Sequence, residues 1–216
     1  MSSQILTIQQ DIPTCERCPR LRQWCRSVAA DPPKRYRGET YWGKPVPPFG
    51  DPGAEFLIVG LAPAANGANR TGRMFTGDRS GDWLYRALHK AGVANQAAST
   101  SADDGLTLTN ALIVAVCHCA PPDNKPTNEE IQNCRPWLEG VMQSRTWTGV
   151  LCLGSIAWLQ AHRAMSAKTP KFGHGVVSMV GSTRVVGSYH PSQQNTFTGR
   201  LTEPMLDVAV EKWLRG

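Results

Sequence analysis

The sequence predicts an α/β domain, a parallel sheet with helices on both faces. Three observations carry that expectation. Short apolar runs at 56–59, 111–116 and Gly149–Leu153 alternate along the chain with stretches of helical periodicity. The run at 111–116 is apolar at every position, as in a strand covered on both faces. Three of the predicted strands lead into loops of Gly, Pro and polar residues, and in a parallel sheet such loops converge on the carboxyl edge, where ligands bind.

Taken in order, residues 1–14 read as a lead-in helix ending at Pro13. A second helix over 21–29 is stopped by Asp31-Pro32-Pro33, because the residue before a proline is pushed out of the α region. The Pro- and Gly-rich stretch 31–55, centred on Tyr41-Trp42-Gly43-Lys44-Pro45, reads as an irregular wrap over the body of the domain. The first strand, 56–59, opens a long Gly-rich loop over 60–81. The next helix is expected to start at Ser80 as N-cap and stop at Gly92, with Trp83, Leu84, Ala87 and Leu88 on one face. Small and polar residues at 93–106 make a surface loop. After the second strand comes a Pro-framed loop, 121–126. Thr127-Asn128-Glu129-Glu130 then forms a capping box for a helix whose core face carries Ile131, Cys134, Leu138 and Val141. The third strand precedes a helix from Ser155 to about Met165. Segments 176–180 and 184–187 read as two arms of a hairpin around Gly181-Ser182, the second running into Ser188-Tyr189-His190-Pro191-Ser192. An amphipathic helix over about 202–214 follows. With 216 residues and no internal repeat, the chain reads as one domain: a wrapping N-terminal segment, 1–55, and an α/β core, 56–216.

Composition narrows the function classes. A net charge of +6 favours a polyanionic partner, although an ordinary basic protein has the same balance. Basic residues cluster early, at Arg17, Arg20, Arg22, Arg26, Lys34, Arg35 and Arg37. No stretch approaches the roughly 18 apolar residues of a membrane helix, and the first residues lack the pattern of a secretory leader. The expectation is a cytoplasmic protein with no membrane association. Seven cysteines in that setting call for core burial or a metal rather than disulfides.

The loop 60–81 concentrates chemistry. Its glycines permit close backbone approach, Arg70, Arg73 and Arg79 supply positive charge, Phe75 a flat stacking face, and Asp78 the carboxylate. A solvated connection is the competing reading, against which stands its length. Cys15-x-x-Cys18 is a two-ligand hook, and Cys119 and Cys134 sit at element edges; together they make a four-ligand set for zinc or an iron–sulfur cluster. A redox pair at Cys15 and Cys18 and seven core thiols are the alternatives, and Cys117 competes with Cys119 as third ligand. Cys25 and Cys152 fit apolar faces. His190, between a strand and a proline, is held in fixed geometry and suits a group reaching into a site, though a lone His is commonly structural. Asn124 or its neighbour Asp123 sits at the ligand edge in a Pro-framed turn, where a plain turn residue would also fit.

These residues carry a resemblance. The sequence 60–63, Gly-Leu-Ala-Pro, the run 69–78, Asn-Arg-Thr-Gly-Arg-Met-Phe-Thr-Gly-Asp, the loop 119–127, the triplet His190-Pro191-Ser192 and the spacing of Cys15, Cys18, Cys119 and Cys134 resemble the family 5, or type b, uracil-DNA glycosylases, over about residues 12–214. The resemblance implies a three-layer α/β/α sandwich with a central, mostly parallel sheet and a 4Fe–4S cluster on those four cysteines. It implies removal of uracil, and also of hypoxanthine and xanthine, from DNA; the expected partner is double-stranded DNA, with single-stranded DNA left open as a second substrate, and the expected state is a monomer. It implies Asp78, Asn124 and His190 as catalytic residues. Gly60, Ala62, Pro63, Ala64, Phe75 and Ala115 would hold the flipped base; Pro191, Ser192, Gln193 and Gln194 would enter the minor groove; Arg70 and Arg73 would meet phosphates or brace the loop. Two positions depart from relatives: Ala64 and Ala65 replace a polar catalytic residue of other families, and Ala115 replaces the Asn that reads uracil in family 4. An apolar side chain there predicts relaxed base choice. Asn66 stands where type b relatives are expected to carry His. A non-catalytic iron–sulfur protein that binds damaged DNA is the alternative function, and a zinc-stabilised nucleotide hydrolase a third.

Overall fold

The computed structural model describes residues 2–215. A sheet forms where aliphatic and β-branched side chains concentrate: β1 (Phe49–Gly50), β2 (Phe56–Gly60), β3 (Ala111–Ala115), β4 (Gly149–Leu153), β5 (Val177–Val180) and β6 (Thr183–Ser188), in the order β1-β3-β2-β4-β6-β5. The four inner strands are parallel and the two edges antiparallel. The sheet is therefore mixed. Its antiparallel edges are β1, too short to show periodicity, and the first arm of the Gly181-Ser182 hairpin.

Helices cover both faces: α1 (Ser2–Asp11), α2 (Pro19–Ala30), α3 (Ala68–Thr71), α4 (Arg79–Lys90), α5 (Asn128–Gln143), α6 (Ser155–Ala164), α7 (Gln193–Phe197) and α8 (Glu203–Leu214). Alternate strand residues feed two separate cores, as the period of a strand requires. Ile58, Ile113, Leu151 and Val186 pack with Leu84 and Leu88 of α4 and Leu206, Val210 and Trp213 of α8. Leu57, Val59, Leu112, Val114, Val150 and Val185 pack with α1, α5 and α6 on the other side. Among the described residues no helix is long and apolar enough to cross a membrane.

Local signals set the helix ends. The Thr127 capping box forms as expected, with Glu130 N–H donating to Thr127 Oγ1 at 3.2 Å and Thr127 N–H to Glu130 Oε2 at 2.8 Å. Glu130 also takes a two-pronged contact from Arg20, at 2.7 and 2.8 Å, which ties α2 to α5. Arg22 is buried and donates to Gly43 O, and Arg26 pairs with Glu16, so part of the early basic cluster is spent on internal contacts. The cap of α4 is Asp78, two residues earlier than the Ser80 expected. The strand order places β2 between β3 and β4, so the chain leaves β2 toward one side and later crosses to the other. The crevice at the carboxyl ends of β2 and β4 is the switch point at which such sheets hold ligands.

Candidate active site

The loop after β2 forms the wall of that crevice. Ala64 O accepts from the Gly67 and Asn69 amides at 3.2 and 3.1 Å, closing the turn that leads into α3. Among the described residues no acceptor meets the N–H groups of Ala62, Ala64, Ala65 or Asn66, while Pro63 is buried beneath them. A short row of free donors results. Phe75 adopts φ 53°, a left-handed conformation that costs a bulky residue roughly 1–2 kcal/mol. Its surroundings hold it there. Tyr85 hydroxyl donates to Met74 O at 2.7 Å, and a side chain at Gly81 would overlap the Phe75 carbonyl. The Phe75 ring lies on Gly60, where an added Cβ would come within 3.0 Å of the ring edge. The ring centroid is 5.8 Å from that of His190, with the planes tilted by 30°.

Asp78 closes the loop. Its Oδ1 accepts the Gly81 N–H at 3.0 Å, and the carboxylate rests against Gly67, where any side chain would overlap it. Burial pushes its pKa above the ordinary 3.8, against the pull of the Gly81 and Ser80 amides and of Arg70. Arg70 and Arg73, expected at phosphates or as braces, act as braces. Arg73 is 5% exposed and donates to Thr76 Oγ1 at 2.8 Å, Ala102 O at 3.2 Å and Asp104 at 2.8 Å. Arg70 donates to Asn66 O at 2.9 Å, Gly77 O at 3.1 Å and Glu39 at 2.6 Å. Their guanidinium groups are thus committed to the loop and its neighbours, the second of the two roles expected of them. Asn66 Oδ1 accepts from Tyr41, so the wrapping segment is bonded to this loop.

His190 follows β6 on the other side of the switch point. Burial pushes its pKa down to about 4, which leaves a neutral imidazole at pH 7. Its backbone O accepts from Asn195 Nδ2 at 2.9 Å, which fixes it to α7. A groove of about 240 Å³ opens beside it, lined by Leu61, Gly154, Ser155, Tyr189 and Arg200. Of the four residues expected in the minor groove, Pro191 is buried and the Ser192 side chain is spent capping α7, accepting from Asn195 N at 3.4 Å. Gln193 and Gln194 are exposed. Phe197 was not foreseen: it is 68% exposed at the end of α7, with the Arg79 guanidinium 4.5 Å over its ring. A lone Phe in a polar run gave no periodic signal.

Asn124 sits in an exposed turn at φ 55°, next to Asp123 at φ 53°. Its side chain makes no hydrogen bond among the described residues, and it stands apart from the contacts that join Phe75 and His190. Ala115 ends β3 opposite Gly60 and is 1% exposed, on the α4 side of the sheet.

Cys15, Cys18, Cys119 and Cys134 line one cavity, together with Arg22 and Trp137. All seven cysteines are free of disulfides. Cys117 and Cys152 point into the core under α5 and α6, and Cys25 is buried beside Cys18 and Cys119. Cys119 lines the cavity and Cys117 does not, although the Cys117 thiol meets that of Cys134. Among the described residues no three His, Cys, Asp or Glu side chains converge on one point as a single metal ion would need.

The family model of the uracil DNA glycosylase superfamily matches residues 47–214. The chain is 50% identical over 202 residues to the type-5 uracil-DNA glycosylase of Mycobacterium tuberculosis, covering 91% of this chain and 75% of that protein. It is 44% identical over 207 residues to the type-5 uracil-DNA glycosylase of Thermus thermophilus, covering 94% of each. A type-4 uracil-DNA glycosylase of Pyrobaculum aerophilum is 28% identical over 158 residues, 68% of this chain and 71% of that protein.

Proposed function

The chain belongs to the uracil DNA glycosylase superfamily, and we propose that it hydrolyses the N-glycosidic bond of uracil, and also of hypoxanthine and xanthine, in DNA, leaving an abasic site. One observation carries the reading: the Phe75 ring, lying on Gly60 at the end of β2, stands 5.8 Å from the His190 ring that follows β6, and the loop that bears Phe75 also bears the free amides of Ala62, Ala64 and Ala65 and the carboxylate of Asp78. The target base must leave the stack to be reached. Phe75 offers it a face, and the amides of Ala62, Ala64 and Ala65 offer donors to its edge.

Bond cleavage builds positive charge on the sugar and negative charge on the departing base. A neutral His190 stabilises the base anion by donating an N–H into it, without giving up the proton. Asp78 supplies the opposite charge. The cost of desolvating its carboxylate is recovered as the sugar becomes cationic, so the interaction strengthens toward the transition state, which is what accelerates a reaction. Ala115 adds no polar group to the buried end of β3, and so nothing there rejects a purine that lacks uracil's edge pattern.

The four cavity thiols support a 4Fe–4S cluster held by Cys15, Cys18, Cys119 and Cys134. The group would cross-link the start of α2 to the loop after β3 and to α5, a structural contribution beside the site. The test is purified protein against identical duplexes carrying uracil, hypoxanthine or xanthine, with alkali treatment to reveal abasic sites. Strand cleavage only after alkali, lost in Asp78→Ala, is expected. Tight binding without base release would overturn the reading.

A further inference from the structure

We propose that His174 is a positioning residue for His190, acting through the backbone N–H of Tyr189; this rests on the role given to His190 above. The observation lies in the turn Phe172-Gly173-His174-Gly175, which precedes β5. Gly175 N–H donates to Gly187 O at 2.7 Å and Gly187 N–H to Val176 O at 2.9 Å, so the turn runs alongside the end of β6. It lies so close that a Cβ at Gly187 would come within 2.9 Å of Gly173 O. At Tyr189 the strand has ended: the last ladder position of β6 is Ser188, opposite Leu153. His174 supplies the partner that the sheet no longer provides. Tyr189 N–H donates to His174 Nδ1 at 3.2 Å.

The chemistry of the two neighbours fixes the imidazole. An amide nitrogen can only donate, so Nδ1 carries a lone pair. Met205 O, 3.2 Å from Nε2, can only accept, so Nε2 carries the hydrogen. Both ring nitrogens are used, each in the sense that the neutral ring allows. The ring therefore links α8, which holds Met205, to the residue immediately before His190. It also sits 5.2 Å from the Tyr189 ring, whose other neighbours are Phe172 and the Arg200 guanidinium, 4.6 Å from its centre. The Ser188–Tyr189 peptide, one unit before His190, is thus held at both ends, its N–H by His174 from outside the sheet and its carbonyl by Gly154 N–H at 2.8 Å. With Asn195 holding His190 O from the other side, the imidazole is suspended between two fixed points.

The test uses two near-isosteric replacements that each keep half of the link. His174→Asn retains an acceptor where Nδ1 stood; His174→Gln retains a donor where Nε2–H stood and loses the Tyr189 contact. His174→Asn is expected to excise uracil within a few-fold of the parent, and His174→Gln to lose single-turnover rate on the order of 10²-fold, with KM little changed, as a misplacement of about 1 Å does. Placed in a His190→Ala background, His174→Gln should add no further loss. Melting curves of both variants verify folding. Equal rates for the two single variants, or a full additional loss in the double variant, would overturn the positioning role. If His190→Ala alone leaves excision intact, it is the reading of His190 that fails.

Discussion

Replacing Gly67 by Ala tests whether the carboxylate of Asp78 must stand where it does. A methyl group at Gly67 would lie 2.8 Å from Asp78 Cγ and closer still to Oδ2. Ordinary carbon contacts are about 3.5–4.0 Å, so the carboxylate must retreat by roughly 0.7–1.2 Å. Two consequences separate. Loss of the cap on Gly81 N–H costs about 0.5–2 kcal/mol of stability. A misplacement near 1 Å in a catalytic group costs on the order of 10²-fold in rate, about 2.7 kcal/mol of barrier. Gly92→Ala is the control: its φ is 74° and a methyl there meets nothing within 4 Å, so it carries strain of about 1–2 kcal/mol and no steric push on the site. Melting curves should show comparable destabilisation of the two variants. Single-turnover excision from a labelled uracil duplex should fall only in Gly67→Ala. Equal excision by the two folded variants would refute the idea that the position of Asp78 limits the reaction.

The pH profile follows from His190 and Asp78. With His190 pushed down to about 4, excision should stay flat from about pH 8 to about pH 6 and fall as the pH approaches 4; a limb centred near 6.5 would mean an ordinary, hydrated imidazole. The same shift makes the unfolded chain bind more protons between about 4 and 6.5, so the His190 contribution to stability is full above that window and is lost as pH falls through it. Asp78, shifted up, acts in the opposite sense: stability falls as pH rises from 3.8 through its raised value, visible as a difference between the parent and Asp78→Asn. Ala115→Asn places an amide at a position 1% exposed, at a cost of about 1–3 kcal/mol in the free protein, and should narrow excision toward uracil; undiminished release of hypoxanthine relative to uracil would count against that. Cys134→Ser should lose bound iron and visible absorbance while Cys117→Ser keeps both, since only the former lines the cavity; metal analysis of the two purified variants decides it.

Much of the scaffold was legible because its signals are local. A run of apolar residues at 111–116 announces burial on both faces, and the structure divides it between two cores. The Thr127 box needs only the residues at its two ends. The edges were harder to read. β1 is two residues long beside three prolines and a glycine, and only its pairing with β3 makes it a strand. At α4 two good capping residues stand two apart, and the contact of Asp78 with Gly67 decides between them. Charge sign gave no warning that Arg73 is buried, since Asp104 reaches it from 31 residues away. His174 had nothing nearby in sequence to mark it, because its partners are 15 and 31 residues further on.

The wrapping segment crosses the loops that follow β2 and β3. Trp42 and Gly43 donate to Arg70 O and Asn69 O, while Val46 exchanges two hydrogen bonds with His118, 72 residues away, through its N–H at 2.7 Å and its carbonyl at 2.6 Å. These bonds belong to no sheet or helix, so their opening can precede that of the strands behind them. The amides of Trp42, Gly43 and Val46 are therefore natural reporters: their hydrogen exchange registers whether the crevice is intact in protein that has met no DNA, while the amides of β2 and β3 register only whether the chain is folded.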